Sequence, residues 1–460
     1  MKRIFLFLSL FLALLGSSFA ANANSAALMS FFAGGDSTNP LRVIGVNEQT
    51  YVANDSISGK NMQATRQPYI IGQDASSLVF AAQNWYFGSS ETNNSNSITI
   101  VEAALETASA TYPIYFSGNR NITLAAGDNN IKSDPLTAAT VGLSKFSRNE
   151  QYWIKMIVSV PTKGQAIPYA GTSVGDRSGG AVLWYDSDVV TKDVDATGQF
   201  DLTSVDFRVN GFRLMMLGYP VSDGPSFITV GDSIAIGIGD GTANGGIGRG
   251  MIQRAMCDSG PTDCYPNLNF GRSGIGLNGF TTGTKWTAYI PYARHAIDES
   301  LTNNVATDST ATMQGYETTL WGMFRSGGIQ KIIRTELLVR ATSSDNWATT
   351  VNQTVQSGWA NGANKVPQMN TWFGTKLSDL TIDYYVSGLR LAVADGTDTD
   401  KWAVPKVNNF DETHPNATGS TTLAAIIRTV IEDSGLAYLM PANDNMFAAL
   451  QLGAFDQGLN

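Results

Sequence analysis

The run Ser226-Phe227-Ile228-Thr229-Val230 leads directly into Gly231-Asp232-Ser233-Ile234, and a glycine-rich stretch follows from Gly237 to Gly250. A short apolar run with β-branched and aromatic residues is the signature of a buried strand, and the glycines mark a loop that feeds a helix. A chain built this way presents Ser233 where a strand gives way to loop and helix. In folds with a parallel sheet, that edge is where ligands and reacting groups gather. The rest of the chain is best read for a sheet that could flank this strand and for groups that could act on this serine.

From about residue 226 onward the pattern alternates. Strands are expected at Phe227 to Val230, Leu268 to Phe270, Ala296 to Glu299, Lys331 to Leu338 and Leu380 to Tyr385, and helices near 247 to 256, 310 to 325, 347 to 357 and 417 to 433. Such alternation predicts an α/β fold, a parallel sheet flanked by helices. Upstream the rhythm differs. Residues 21 to about 75 are polar and broken by Gly, Asn and Pro, and predict loops with short strands. From about 76 to 225 short β runs recur, the clearest being Tyr152 to Val160, where Tyr152, Ile154, Met156, Val158 and Val160 share one face. With Val205 to Leu217 as a closing strand, this part predicts a jelly-roll-like β-sandwich. Its aromatics Trp85, Tyr86, Trp153, Trp184 and Tyr185 suit either a core or a sugar-stacking platform.

At the amino terminus Lys2 and Arg3 precede the apolar stretch Ile4 to Leu15, and small residues follow at Ser18-Phe19-Ala20 and Ala21-Asn22-Ala23. This is the pattern of a secretory signal peptide over residues 1 to 20, too short to anchor in a bilayer, with no cysteine behind it for lipidation. The expected location is secreted or periplasmic. The organisation expected is then a β-rich domain over 21 to 225, an α/β domain over 226 to 436 and a tail over 437 to 460. A formal charge of −9, more negative once Lys2 and Arg3 leave, argues against nucleic acid or an anionic lipid surface as partner. The two cysteines, Cys257 and Cys264, lie seven apart around a Gly-Pro turn, which an oxidising compartment would close as a disulfide. No histidine near them completes a zinc site, and no metal or cofactor is expected.

A serine hydroxyl needs a base before it becomes a competent nucleophile. The chain has only two histidines, His295 and His414. His414 sits in Phe410-Asp411-Glu412-Thr413-His414-Pro415-Asn416, so that Asp411 and His414 share one loop and a carboxylate can face one ring nitrogen while the other faces Ser233. Gly231-Asp232-Ser233-Ile234 at the start of the α/β part and Asp411-x-x-His414-Pro415-Asn416 near its end resemble the first and last sequence blocks of the SGNH or GDSL hydrolase family, over roughly residues 226 to 436. That resemblance implies a three-layer α/β/α fold with Ser233, Asp411 and His414 as catalytic residues. It also implies an oxyanion hole. Asn269-Phe270-Gly271-Arg272-Ser273-Gly274 resembles the second block, and Gly274 would lend its N–H beside that of Ser233. The third block, usually Gly-x-Asn-Asp, is matched best by Leu301-Thr302-Asn303-Asn304, with Asn303 donating its side-chain amide. Leu301 and Asn304 depart from the pattern and leave the register between Asn303 and Asn304 open.

Two other signals compete. Gly171-Thr172-Ser173-Val174-Gly175 has the spacing of a different nucleophile elbow, but no clean strand precedes it and Gly179-Gly180 stands where a helix should begin. The loop from 237 to 250 lacks the spacing of a phosphate cradle. His295, at the start of a central strand, reads as structural. The function expected is an esterase removing acetyl or other short acyl groups from a carbohydrate, with an acylated carbohydrate or small ester as substrate. The alternatives are a lipid or aryl esterase and a non-catalytic carbohydrate-binding or adhesion protein.

Overall fold

The computed structural model describes residues 39–170, 181–189, 192–201, 203–208, 211–241, 249–257 and 263–436. The signal segment, the Gly171–Gly175 motif, residues 242–248 of the glycine-rich loop and the tail beyond 436 lie outside the described residues. The described residues all belong to one compact unit.

The α/β part is built on a parallel six-stranded sheet with spatial order Glu48–Gln49, Asn267–Asn269, Phe227–Gly231, His295–Glu299, Lys331–Thr335, Tyr384–Val386. Strand Phe227–Gly231 is central, with Thr229 opposite Asn269 on one side and Ile297 on the other. The chain runs from it first to one neighbour and later to the other, so its carboxyl end is a topological switch point, where connecting loops diverge and leave a crevice. Its two faces are both apolar. Phe227 packs with Ile297, Ile333 and the helices Gly250–Met256 and Ala417–Asp433. Ile228 and Val230 pack with Ala296, Ile332 and the helices Thr310–Ser326 and Lys365–Ser378. Burial on both faces explains why this strand reads as an unbroken apolar run.

Upstream lie a five-stranded and a seven-stranded sheet whose paired strands are antiparallel. Strand Ala75–Ala82 explains how the first of these is placed. Leu78, Phe80 and Ala82 pack into a cluster with Ile154, Met156 and Val158 of the seven-stranded sheet, while Val79 and Ala81 on the opposite face pack into the same cluster as Ile228 and Val230. Met216 and Leu217, on the neighbouring strand Met215–Pro220, divide in the same way. One apolar core therefore runs from the β-rich part into the α/β part. The two-residue strand Glu48–Gln49 adds to it by pairing in parallel with Leu268 and Asn269.

Several expectations are corrected by packing. The supposedly loop-like segment before residue 75 contains the nine-residue strand Met62–Ile70, flanked by Gln151–Ser159 and Ala181–Tyr185. Three of its polar side chains are buried with partners: Gln63 accepts the Phe212 N–H at 2.8 Å, Tyr69 donates to Leu214 O at 2.6 Å, and Arg66 pairs with Glu106 at 2.7 Å beneath the Trp153 ring. The span 205 to 217 is not one strand. It divides between Asp206–Arg208 in the seven-stranded sheet and Met215–Pro220 in the five-stranded one. The helix expected near 347 to 357 is instead a turn closed on Asp345, between paired strands Ala341–Ser343 and Gln353–Val355. The helix Lys365–Ser378 went unseen because Pro367 and Gly374 interrupt its pattern, although proline is tolerated in a first turn.

Candidate active site

The turn after Phe227–Gly231 is shaped by close approach. A methyl group on Gly231 would lie 2.5 Å from the Ala235 Cβ and 2.8 Å from Glu299 Oε2, so no larger residue fits without displacing the turn or the neighbouring strand end. Asp232 Oδ1 accepts the Ile234 N–H at 3.0 Å, an Asx-type closure that leaves Ser233 at the apex. The Ser233 carbonyl then accepts the Ile238 N–H at 2.9 Å, folding the loop back under the serine. Gly237 and Gly250, with φ of +80° and +77°, touch backbone to backbone where this loop meets its helix, and a side chain on either would collide with the other. Asp240 secures the same helix by accepting the Gly250 N–H at 2.9 Å and pairing with Arg254 at 2.6 Å.

His414 reaches this turn from a loop 181 residues away, its Nε2 lying 2.8 Å from Ser233 Oγ. Its Nδ1 is 2.8 Å from Asp411 Oδ2 and 3.0 Å from Oδ1. Asp411 Oδ1 also accepts the N–H groups of Thr413 and His414, each at 2.8 Å. Burial alone would push the Asp411 carboxyl up, but the ring and the two N–H donors together bring it down to about 2, which keeps it anionic. Asn416 locks the loop. Its Oδ1 accepts the Gly419 N–H at 3.0 Å as the cap of helix Ala417–Asp433, and its amide donates to the carbonyls of Val407 and Asn409. The local sequence Asp-x-x-His-Pro-Asn thus sets both the ring's partner and the helix entry that aims it.

The neighbouring loops supply hydrogen-bond donors. Gly274 has φ +77° in the turn Arg272 to Ile275, a conformation that suits glycine. Asn269 braces this loop, donating to Ala235 O at 2.9 Å and accepting the Gly271 N–H at 2.7 Å. The N–H groups of Ser233 and Gly274 donate to none of the described residues. Asn303 donates one amide hydrogen to Ile275 O at 2.9 Å, next to Gly274. Asn304 is differently occupied. It accepts the Leu277 N–H at 2.8 Å, donates to Asp308 at 2.6 Å and is buried. Leu301, standing where the family pattern has glycine, adopts φ +87° and is almost fully buried in the core.

Of the other residues considered, Cys257 and Cys264 form a disulfide with an S–S distance of 2.06 Å. His295 is buried against Phe227, and burial drives its ring down to about 3. Among the described residues no group of His, Cys, Asp and Glu is arranged to hold a metal ion. Trp85, Trp184 and Tyr185 are buried core residues. What the sequence reading missed is the acidic floor of the turn. Asp232 and Glu299 are both buried, with the Asp232 N–H 3.3 Å from Glu299 Oε2. Burial raises Asp232 to about 6, opposed by the Ile234 N–H and by His414 nearby. The signal was present in Asp298-Glu299, two acids ending an apolar strand.

No family model matches the chain, and no curated protein does. Solved structures do resemble part of it. A putative acylhydrolase from Bacteroides fragilis is 15% identical over 47% of this chain and 90% of its own, with a TM-score of 0.34. A GDSL-like lipase from Bacteroides thetaiotaomicron is 16% identical over 47% of this chain and 91% of its own, at 0.32. A psychrotrophic esterase from Pseudoalteromonas is 13% identical over 45% of this chain and 97% of its own, at 0.33. Among the described residues no helix is long and apolar enough to cross a membrane.

Proposed function

We propose that the chain is an SGNH-type serine esterase in which Ser233 attacks an ester carbonyl, His414 takes its proton and Asp411 orients and stabilises the imidazolium. The observation that carries this reading is the continuous relay Ser233 Oγ to His414 Nε2 to Asp411, with both links at 2.8 Å. The attack would form a tetrahedral intermediate whose oxyanion meets the N–H groups of Ser233 and Gly274 and the second amide hydrogen of Asn303. His414 then returns the proton to the leaving alcohol. Water, activated by the same ring, releases the acid from the acyl-enzyme.

The substrate we favour is a short acyl ester, such as acetyl, on a carbohydrate, reached by an exported protein whose β-sandwich precedes a three-layer α/β/α domain. A second reading, an ester with a longer or aryl group, is favoured by one observation. Phe410, in the His414 loop, and Ile238, bonded to the Ser233 carbonyl, leave apolar side chains 54% and 39% exposed. Turnover of a p-nitrophenyl ester series, beside acetate release from acetylated polysaccharides, separates the two. Preference for acetate with release from polysaccharide supports the first, rising rates with chain length support the second, and no turnover of any ester points to a binding protein.

A further inference from the structure

Beneath the nucleophile turn lies a set of buried acids that the relay itself does not use. Asp232, Asp298, Glu299 and Glu317 are all buried, and one cation, Arg334, faces them from the adjacent strand. Arg334 lies 3.1 Å from Glu317 and 3.6 Å from Asp298, and it donates to the carbonyls of Asp298 and Ser300 at 3.0 and 2.9 Å. Asp298 also accepts from Ser300 Oγ at 2.7 Å and Trp321 Nε1 at 2.8 Å, so it holds the charge that answers Arg334. One buried cation does not neutralise four carboxylates, and some of these acids must keep their protons.

We propose that Glu299 is a positioning residue for Ser233, its carboxyl wedged beneath Gly231 and holding the Asp232 N–H so that the strand end delivers the serine in one orientation. The contact is direct. Glu299 Oε2 lies 3.3 Å from the Asp232 nitrogen, and with the Ala235 methyl group it fills the space that a side chain on Gly231 would need. Burial beside the Asp232 charge favours a neutral carboxyl in this role. Glu299 is held well above the usual carboxylate range, first by burial and then by the Asp232 charge, with Arg334 and the Asp232 N–H opposing and Asp298 adding to the rise. Facing Asp232 on its other sides are His414, the Thr302 hydroxyl and Arg334. Ionising Glu299 would set a second anion against Asp232 while the nearby Arg334 already answers Asp298 and Glu317, pushing apart the two segments that meet at the turn.

The inference rests on the serine esterase reading, and its test separates the two. Glu299→Gln keeps an acceptor oxygen and cannot ionise; Glu299→Leu fills the space and has no acceptor. Turnover of p-nitrophenyl acetate as a function of pH, and amide hydrogen exchange across residues 230 to 236, would be measured on the full chain. The unaltered protein is expected to lose kcat as pH rises into the alkaline range, and Glu299→Gln to keep kcat within about twofold at neutral pH and to lack that fall. Glu299→Leu is expected to lose roughly 10- to 100-fold in kcat with KM little changed, and to exchange faster at Asp232. Equal damage in both variants would show that a carboxylate is needed, and near-normal kcat with unchanged exchange in Glu299→Leu would show that Glu299 positions nothing; either overturns the proposal. If the unaltered protein turns over no ester, the esterase reading falls, while the exchange data still decide whether Glu299 holds the turn.

Discussion

The Asn303 side-chain amide donates to the Ile275 carbonyl at 2.9 Å, tying the loop after strand His295–Glu299 to the turn that carries Gly274. Asn304, one residue on, has its acceptor committed to Leu277 and its donor to Asp308. The two asparagines left open by the sequence therefore have different occupations. Asn303 holds its amide beside Gly274 with one N–H still to give, whereas the buried Asn304 bridges Leu277 and Asp308 and fastens the loop.

Asn303→Ala is accordingly expected to lower kcat roughly 100- to 1000-fold with a smaller effect on KM, since an oxyanion donor acts on charge present only in the transition state. Asn304→Ala leaves the buried Leu277 N–H without an acceptor and should instead cost about 1–3 kcal/mol of stability, read from urea unfolding. A kinetic loss confined to Asn304→Ala would reverse the assignment.

Ser233→Ala removes the oxygen proposed to attack and leaves no large cavity. Turnover is expected to fall by roughly 10⁴-fold or more, and fluorophosphonate labelling to disappear, with the melting temperature close to that of the unaltered protein. Labelling that persists and maps to Ser173 would assign the nucleophile elsewhere.

Leu301 combines a left-handed backbone with near-complete burial. Leu301→Gly would relieve about 1–2 kcal/mol of backbone strain but forfeit a buried leucine worth more. A net loss of about 2–4 kcal/mol is expected from denaturant unfolding. A variant as stable as the original would mean that the strain relieved matches the packing lost, contrary to this expectation.

Asp232 and Asp411 predict opposite pH dependences. Asp232, raised to about 6, stabilises the fold fully below its ordinary value near 3.8, and that contribution is lost as pH rises through 6. Asp411, lowered to about 2, contributes above its ordinary value and loses that contribution as pH falls through 2. Asp232→Asn should therefore flatten the decline of stability between pH 4 and 6.5, a span that corresponds to roughly 3 kcal/mol for a shift of this size. An unchanged slope in that variant would show that Asp232 titrates normally.

The sequence alone carried what is local or rare. Ser233 ends an apolar run bounded by glycine, so its place at a strand end follows from period and punctuation. His414 is one of two histidines, and its three-residue spacing from Asp411 on one loop makes their pairing nearly a matter of chain geometry.

Tertiary structure decided whatever depends on distant partners. Polar residues are hidden from a periodicity argument unless their partners are known, and for this reason the buried strand Met62–Ile70, with Gln63, Arg66 and Tyr69 all satisfied across the fold, looked like loop. Trp85 and Trp184 could have been platform or core until packing enclosed them. Asn303 and Asn304 are chemically identical, and only their hydrogen-bond partners distinguish them. The same holds for Glu299. Its acid at the end of an apolar strand is ordinary in composition, and it acquires meaning only because the parallel register sets Gly231 beside it and buries its carboxyl.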